Sequence, residues 1–522
     1  FADFCPDPDR NRLLCVCEDH GAGGDPPRNT LAAVSLTDGA ATHLVEGNDF
    51  YSSPRLGPDG TRLCWLTWNH PNMPWDGTEL WTAELDGDGF PRAPEKVAGG
   101  PSESIFQPEW SPDGALYFVS DRTGWWNLYR QGDGRTVPVL PMDAEFGLPQ
   151  WVFGMSAYGF DRADRILCAF SRDGVWRLAR IDVETSGLTE IAAPFTDVGA
   201  LHVRSGEALF LGASPTAPRS VVRFRTASGE TEILRSAFRN RIDAGYFSLP
   251  EPVDFSTAGG ETAHGIFYPP QNRDFGALPD EKPPLLVMSH GGPTAAASSA
   301  FNLTIQFWTS RGIAVLDVNY GGSTGYGRAY RERLKGRWSI VHVDDCVNGA
   351  RYLVERGDVD PDRLAIRGGS AGGFTTLAAL AFREVFGAGA SHYGVSDLEA
   401  LARETHKFES RYLDSLIGPY PERRDLYVER SPIHAVDRLS CPTIFFQGLE
   451  DEVVPPDQAE TMAAALREKG IPVAYLPFEG EQHGFRRSQN IRRALEAELY
   501  FYGRIFGFAP ADDIEPVSID NL

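Results

Sequence analysis

Two hydrophobic periods divide the chain into two parts. In residues 1–239, short runs of alternating apolar and polar residues predict β-strands, with polar turns between them. The pattern recurs in the segments FCPDPDRNRLLCVCEDH, PRLGPDGTRLCWLTW and PEWSPDGALYFVSDR, whose turn prolines Pro6, Pro58 and Pro112 are 52 and 54 residues apart. A repeat of this length with about four short strands is typical of a β-propeller blade.

Five such repeats can be recognised, and the last two contain YGFDRADRILCAFSR and LHVRSGEALFLGASP. Propellers have four to eight blades, so five blades can close by themselves. Because the first residue is Phe1 and not methionine, however, we expect the sequence to lack an N-terminal part with one or two more blades. A β-sandwich with similar turns is the alternative, and the regular spacing of the repeats argues against it.

Beyond residue 240, continuously apolar strands alternate with helical stretches. Strands are predicted at 252–257, 261–268, 285–289, 313–319, 364–366, 388–392, 443–447 and 473–478, and helices at 301–311, 343–356, 372–383, 456–469 and 490–506. This alternation is typical of a mostly parallel sheet with helices on both faces. We therefore predict two domains, a β-propeller over residues 1–240 and a doubly wound α/β domain over residues 241–522.

The net charge narrows the choice of partners. The 522 residues include 49 Lys and Arg against 72 Asp and Glu, a formal charge of −23. So acidic a protein is not expected to bind nucleic acid or an anionic membrane, and no apolar run reaches the roughly 18 residues that span a bilayer. Seven scattered cysteines favour buried thiols in a reducing cytoplasm over disulfides. A metal site at Cys15 and Cys17 would lack a second pair of ligands.

The stretch LAIRGGSAGGFTTLAAL, residues 364–380, is the strongest candidate for chemistry. It predicts a short strand, a tight turn around Ser370 and an Ala-rich helix, which is the setting of a nucleophile elbow. Glycines flank the serine because a Cβ there would collide with the neighbouring strand or helix. The amide of Ala371, at the helix N-terminus, would then face a developing oxyanion. The alternative is a Gly-Ser turn that only caps the helix.

Partners for a nucleophilic serine follow it in the order that this setting requires, an acid and then a histidine. Asp451 and His483 each come just after a predicted strand. Glu450 and Glu452 compete with Asp451 for the role of the acid, and we interpret them as solvated charges. A single loop histidine would signify little, but three residues in this order predict a catalytic triad of Ser370, Asp451 and His483.

The segment His290-Gly291-Gly292-Pro293 follows another predicted strand. Hydrolases with a nucleophile elbow take the second N–H donor of the oxyanion hole from a loop of this type. We therefore predict Gly292 and Ala371 as the two donors.

Together these motifs resemble the prolyl oligopeptidase family of serine peptidases, in particular the acylaminoacyl peptidases and related bacterial aminopeptidases. The matching segments, which with the repeats cover nearly the whole chain, are GGSAGG around Ser370, GLEDEVVP, QHGF around His483, HGGP and NYGGSTGYG. The resemblance implies an α/β-hydrolase domain after a β-propeller, with an active site in a cavity between the two that admits only short peptides.

The chain departs from this pattern at three points. It has no evident counterpart of the propeller glutamates that hold the substrate amine in the dipeptidyl branch, which leaves the type of exopeptidase open. His290 stands where other branches have a tyrosine as oxyanion donor, so the backbone of Gly292 remains the predicted donor. Trp338-Ser339 replaces a usual Trp-Gly pair, and we expect no catalytic consequence from this change.

The resemblance also implies a specificity pocket that follows the predicted strand 388–392 and has apolar walls. The implied pocket residues are Val395, Leu398, Leu401 and Phe408. If they do form the pocket, an apolar or aromatic side chain is preferred next to the scissile bond. The alternative is that they are ordinary core residues of a helix face.

The sequence therefore predicts a serine peptidase that hydrolyses short peptides or aminoacyl and acylaminoacyl amides through an acyl-serine intermediate, with the propeller limiting substrate size. An esterase or amidase for a small non-peptide substrate is the alternative, because it would use the same triad. A binding scaffold with an idle hydrolase is disfavoured, since no triad member is missing. No metal or organic cofactor is implied, and the sequence leaves open whether the protein is a homo-oligomer.

Overall fold

The computed structural model describes residues 1–21, 26–132, 134–239 and 241–522. The chain divides into two compact units. We call the first the propeller unit; it comprises residues 1–239 together with the short segments 324–329 and 407–412. The second, the hydrolase unit, comprises residues 240–323, 330–406 and 413–522.

The described part of the propeller unit contains five four-stranded antiparallel sheets, and in each the strands pair in the order of the chain. The strands are β1 (Ala2–Asp7), β2 (Arg12–Asp19), β3 (Arg28–Ser35), β4 (Ala41–Val45), β5 (Phe50–Leu56), β6 (Arg62–Trp68), β7 (Glu79–Leu85), β8 (Pro91–Gly99), β9 (Ile105–Trp110), β10 (Leu116–Ser120), β11 (Asn127–Gly132), β12 (Arg135–Pro138), β13 (Tyr158–Arg162), β14 (Arg165–Arg172), β15 (Val175–Asp182), β16 (Gly187–Glu190), β17 (Asp197–Arg204), β18 (Glu207–Ser214), β19 (Ala217–Arg225) and β20 (Thr231–Ser236).

Alternate side chains of one strand build two separate cores between these sheets. In β6, Leu63 and Trp65 pack with the first sheet, whereas Cys64 and Leu66 pack with the third. All four side chains are fully buried. The two-residue period of a strand thus explains why β6 is apolar at consecutive positions: both faces of its sheet are covered.

Two segments from the later part of the chain are fastened to the propeller unit by charged side chains. Arg328 forms an ion pair with Asp121 at 2.7 Å and donates to the carbonyl of Asp76 at 2.9 Å. Lys407 donates to the Asn29 side chain and to the carbonyls of Pro27 and Asp49, at 2.7–3.0 Å. Each cation is therefore satisfied within the propeller unit.

The hydrolase unit contains one eight-stranded mixed sheet with the order β21-β22-β24-β23-β25-β26-β27-β28. These strands are β21 (Glu251–Ser256), β22 (Thr262–Tyr268), β23 (Leu285–Ser289), β24 (Ala314–Asn319), β25 (Leu364–Gly369), β26 (Ala388–His392), β27 (Thr443–Gly448) and β28 (Val473–Phe478). The strands from β23 to β28 are parallel, and β21 and β22 pair antiparallel at one edge. The parallel strands therefore end at one common edge.

Nine α-helices lie in the described chain: α1 (Leu303–Thr309), α2 (Arg328–Glu332), α3 (Val341–Arg356), α4 (Ala371–Phe382), α5 (Leu398–Glu404), α6 (Tyr412–Leu416), α7 (Arg424–Arg430), α8 (Pro456–Glu468) and α9 (Ser488–Phe506). The sequence predicts α1, α3, α4, α8 and α9, and misses α2, α5, α6 and α7, whose five to seven residues give a weak helical period. Among the helices of the described chain, none combines the length and the apolar character needed to cross a bilayer.

Candidate active site

The tight turn around Ser370 lies between β25 and α4, where the sequence predicts a nucleophile elbow. Ser370 has φ 57° and ψ −123°, a conformation that is rare for a residue with a side chain and that marks a strained, tight turn. Its backbone N–H donates to the carbonyl of His392 at 3.0 Å, and its carbonyl accepts from the N–H of Phe374 at 3.0 Å. Hydrogen bonds on both sides thus hold the turn.

The glycines of the elbow are required by their neighbours. A Cβ on Gly368 would lie 2.2 Å from the carbonyl oxygen of Gly372, and one on Gly372 would lie 2.2 Å from that of Ser289. A Cβ on Gly369 would lie 2.9 Å from the ring of Tyr393. The collisions expected from the sequence are therefore present, because β23, β25 and α4 approach one another here with no room for a side chain.

Ser370, His483 and Asp451 form one hydrogen-bonded chain. The Nε2 atom of His483 lies 2.8 Å from Oγ of Ser370, and its Nδ1 atom lies 2.9 Å from Oδ2 of Asp451. The Asp451 carboxylate can only accept, so Nδ1 carries the proton and Nε2 is free to accept the proton of Ser370. This arrangement can make the serine hydroxyl nucleophilic.

Asp451 is held in place by its own surroundings. Its Oδ1 atom accepts from the N–H groups of Val453 and Val454 at 2.9 Å each, and its side chain is fully buried. Glu450 and Glu452 are exposed. Of the three neighbouring acids, only Asp451 is buried and contacts the histidine.

The loop that carries His483 is anchored by Glu481, a residue that sequence reasoning missed. Its buried carboxylate accepts from the N–H groups of Arg486 and Arg487 and from the Asn490 side chain, at 2.9 Å each. Burial by itself raises the pKa of Glu481, but these hydrogen bonds outweigh it and bring the pKa below its usual range. An ionised Glu481 thus holds both ends of the short loop at the start of α9.

Tyr393, directly after β26, is a second residue that the sequence did not indicate. Its ring meets the ring of His483 edge to face at a centroid distance of 5.1 Å, and that of Phe485 at 5.3 Å. The same ring fills the space beside Gly369. Tyr393 therefore packs against both the elbow and the imidazole, which restricts where the imidazole can lie.

The segment from His290 to Pro293 follows β23 and lies beside the elbow. Nε2 of His290 is 2.7 Å from the hydroxyl oxygen of Ser323, and the Tyr320 hydroxyl lies 3.0 and 3.1 Å from the carbonyl oxygens of His290 and Pro293. Burial lowers the pKa of His290 to about 4, so the imidazole is neutral at neutral pH. Side-chain hydrogen bonds thus fix the path of this backbone.

Gly291 is the glycine of this segment that lies against the nucleophile. A Cβ on Gly291 would be 3.6 Å from the Cβ of Ser370 and 3.2 Å from the carbonyl oxygen of Gly369. Gly292 has φ 123°, and a Cβ there would meet the backbone of Thr294 at 2.8 Å. Gly292 is sterically required by its own turn, whereas a Cβ on Gly291 would be tight against the elbow but would not collide with it.

The residues expected in a specificity pocket fall into two groups. Val395 and Leu398 are buried in the hydrolase unit, where Leu401 is half-buried on α5. Phe408 belongs to the propeller unit, where its ring lies 5.9–6.4 Å from those of Phe50, Trp68, Trp75 and Trp151. Because Leu398 has no exposed surface, it offers a substrate nothing to contact in this conformation.

In the described residues, the cysteines form no disulfide and no group of side chains is arranged like the ligands of a metal ion. All seven cysteines are free thiols, and all but Cys5 are buried. Nowhere in the described ranges do three His, Cys, Asp or Glu side chains come together as they would around a metal ion.

Comparison with known proteins gives a consistent set of relatives. Residues 299–509 match the family model described as the prolyl oligopeptidase family. A crystal structure of a puromycin hydrolase is 41% identical, covers 99% of this chain and has a TM-score of 0.95; this chain covers 80% of that one. The dipeptidyl aminopeptidase BIII of Pseudoxanthomonas mexicana is 30% identical over 52% of this chain and 41% of its own. The acylamino-acid-releasing enzyme of Arabidopsis thaliana is 31% identical over 40% of this chain and 28% of its own.

These comparisons confirm the predicted fold class, a β-propeller together with an α/β-hydrolase domain. The chain spans less than half the length of the two curated relatives.

Proposed function

The chain belongs to the prolyl oligopeptidase family, and on this premise we propose that it is a serine peptidase that hydrolyses short peptides or aminoacyl and acylaminoacyl amides. One observation carries the proposal: the hydrogen-bonded chain from Ser370 through His483 to the buried Asp451, with distances of 2.8 and 2.9 Å. Its order along the sequence and its place at the ends of parallel strands are those of a hydrolase triad.

In the proposed reaction, Oγ of Ser370 attacks the scissile carbonyl carbon while Nε2 of His483 takes the hydroxyl proton. The Asp451 carboxylate stabilises the imidazolium ion that results. His483 then gives its proton to the leaving amine as the C–N bond breaks, which leaves an acyl ester on Ser370. A water molecule, deprotonated by His483, hydrolyses this ester and regenerates the free serine.

The negative charge on the carbonyl oxygen requires N–H donors. We propose the amide of Ala371, at the start of α4, as the first donor. The sequence assigns the second to Gly292, which stays an untested prediction. The position of Gly291, where an added Cβ would be 3.6 Å from the Cβ of Ser370, supports Gly291 as an equally direct choice from the same loop.

The relatives support an amide with an amino acid on its acyl side. One of the relatives reported above is named a puromycin hydrolase, and the other two are named a dipeptidyl aminopeptidase and an acylamino-acid-releasing enzyme. The two curated names describe a peptidase and an enzyme that releases acylamino acids, and neither favours an esterase acting on a non-peptide substrate.

Three finer assignments follow from the sequence and are part of the proposal. Residues 1–240 form the propeller domain and limit substrates to short peptides, and residues 241–522 form the catalytic domain. Val395, Leu398, Leu401 and Phe408 belong to a pocket that favours an apolar side chain next to the scissile bond, in which the fully buried Leu398 would not itself contact the substrate. The seven free thiols support a reducing compartment such as the cytoplasm.

The test is hydrolysis of puromycin and of p-nitroanilides of a free amino acid, an N-acetylated amino acid and a dipeptide. For each substrate, the catalysed rate is divided by the uncatalysed rate. We expect this rate enhancement to be much larger for at least one of these amides than for a small p-nitrophenyl ester. Ser370→Ala should lower kcat by at least about a thousandfold and should abolish labelling by a fluorophosphonate.

The matched control is Ser228→Ala, which alters an exposed turn serine of the propeller unit and should leave kcat unchanged. Undiminished amide hydrolysis in Ser370→Ala would disprove the proposal. The pattern over the four amides distinguishes the aminopeptidase, acylaminoacyl and dipeptidyl types, because blocking the amine abolishes only those activities that need it free.

A further inference from the structure

Behind the nucleophile elbow, a chain of buried hydrogen bonds joins the start of α3 to the first turn of α4. The backbone N–H of Ser339 donates to Nε2 of His342 at 2.7 Å. Nδ1 of His342 lies 2.8 Å from Oγ1 of Thr375, and this hydroxyl donates to the carbonyl of Ala371 at 3.0 Å. All four residues are buried.

In the series of hydrogen bonds from Ser339 to Ala371, only one assignment of donors and acceptors is possible. A backbone N–H can only donate, so Nε2 of His342 is an acceptor and the ring proton is on Nδ1. Nδ1 then donates to the Thr375 hydroxyl, whose own proton is left for the carbonyl of Ala371. Burial, with a smaller contribution from His290, lowers the pKa of His342 to about 3, so the imidazole stays neutral and this assignment persists at any working pH.

The backbone of Ser339 is unusual in a way that serves this chain. Its φ is 76°, in the left-handed region that residues with a side chain seldom adopt. Its hydroxyl bonds to the carbonyl of Arg430 at 3.3 Å, which ties the residue on its other side. Ser339 is strained, and its N–H donates to a buried imidazole. This argues against the expectation that the Trp338-Ser339 pair is without consequence for catalysis.

The ring of His342 also contacts residues that support each of the two segments beside Ser370. Its centroid lies 5.6 Å from that of Phe374, in the first turn of α4, and 5.7 Å from that of Tyr320. The Tyr320 hydroxyl in turn bonds to the carbonyls of His290 and Pro293. One buried imidazole therefore supports both backbone segments from which the oxyanion donors come.

We propose that His342 and Thr375 are positioning residues of the oxyanion hole, which orient the first turn of α4 and so the N–H of Ala371. The proposal rests on the proposed peptidase function. Neither side chain touches the substrate; each acts through the backbone of Ala371. The oxyanion hole stabilises the substrate most when its carbonyl oxygen becomes negative. Loss of the hydrogen bonds through His342 and Thr375 should therefore lower kcat and leave KM nearly unchanged.

Thr375→Val tests the proposal, since it removes the hydroxyl and keeps the shape of the side chain. We expect kcat for the amide substrate to fall about tenfold, less than the 10²–10³ that loss of a whole donor costs, with KM within about twofold. Thr375→Ser, which restores the hydroxyl, should recover most of kcat. Thr376→Val is the matched control, because Thr376 makes the same type of bond to the carbonyl of Gly372 at 3.1 Å and is equally buried.

A peptide aldehyde gives a second readout. It forms a hemiacetal with Ser370 whose oxygen occupies the hole, so its affinity should fall in Thr375→Val by the same factor as kcat, while the affinity for the amine product should not change. His342→Gln should resemble Thr375→Val, and the double variant should be no slower than either single one, because both changes break one chain.

Three results would overturn the proposal: an unchanged kcat in Thr375→Val, an equal loss in Thr376→Val, or a loss in Thr375→Ser as large as in Thr375→Val. If Thr375→Val does not fold, the changes in kcat and KM caused by His342→Gln, compared with those caused by Thr376→Val, serve as the test instead. Failure of the peptidase function itself is recognised separately, because it would appear as activity that survives Ser370→Ala in the otherwise unchanged protein.

Discussion

The two units of this chain reach their structures in opposite ways. In the propeller unit every strand of a sheet pairs with its neighbour in the chain, five times over in the described residues. In the hydrolase unit β23 lies between β24 and β25, and His483 meets partners that are 32 and 113 residues away. Strand pairing in the first is local, whereas the hydrogen bonds of the proposed triad in the second join residues far apart in the sequence.

Glycines show the same difference at the scale of one residue. Gly206 in the β17–β18 turn has φ 86° and no atom within 4 Å of where a Cβ would be, so only its own backbone requires glycine. Gly372 has no positive φ, yet a Cβ there would lie 2.2 Å from the carbonyl oxygen of Ser289. A local pattern reveals the first kind of constraint, and only the packing of distant segments explains the second.

The largest effect that sharpens this contrast concerns the acid of the triad, whose role depends on a contact 32 residues away. Asp451→Asn should lower kcat by about 10⁴-fold, because an amide cannot hold the imidazole in the required tautomer. Glu450→Gln and Glu452→Gln, at exposed positions on either side, should leave kcat within about twofold, since surface changes are usually near neutral. Steady-state kinetics of the three variants would refute the assignment if either glutamine variant lost as much activity as Asp451→Asn.

A smaller effect is expected on stability when alanine replaces either kind of glycine, Gly372 in the tight turn at Ser370 or Gly206 in a propeller turn. Gly372→Ala should lower the free energy of unfolding by about 3 kcal/mol, because the elbow cannot accept a methyl group without moving β23. Gly206→Ala should cost only about 1 kcal/mol, the strain of a left-handed alanine. Urea denaturation monitored by a probe in each unit measures both, and equal losses would contradict the distinction between a tertiary and a local requirement.

The smallest effect is a pH dependence that belongs to the hydrolase unit. Burial, against the opposing charge of Arg367, raises the pKa of Asp317 on β24 to about 7. The native state therefore holds this proton more tightly than the unfolded state does, so the stabilisation is complete below the ordinary Asp pKa near 4 and is lost as the pH rises through 7.

Asp317→Asn should remove this dependence, so that the stability of the variant relative to the unmodified protein rises between pH 5 and pH 8. Glu232→Gln is the control in the propeller unit, because its pKa is lowered by Arg223 and it is already ionised in this range. Thermal unfolding at the two pH values tests the prediction. A relative stability of Asp317→Asn that does not change with pH would contradict it.

Sequence reasoning recovered the repeated sheets, the parallel strands and the order of Ser370, Asp451 and His483. It could do so because each depends on a pattern within a few residues: a repeat, an apolar run, a glycine-flanked serine or a residue just past a strand. It missed Tyr393 and His342, which contact residues of other elements, and it missed Glu481, whose partners lie in its own loop and at the start of α9 but form no recognisable motif. Its grouping of Phe408 with Val395 in one pocket stays a prediction, and the structure shows Phe408 in an aromatic cluster of the propeller unit.

By itself, the sequence determined which segments become strands and helices and which three side chains can carry out the chemistry, since backbone preference and motif spacing act over short distances. Only the tertiary structure decided the surroundings of these side chains: which aromatic ring packs against the imidazole and which buried groups hold the loops. These outcomes depend on how separate elements pack against one another, because burial and hydrogen-bond partners are properties of the assembled sheet and helices and not of any single segment.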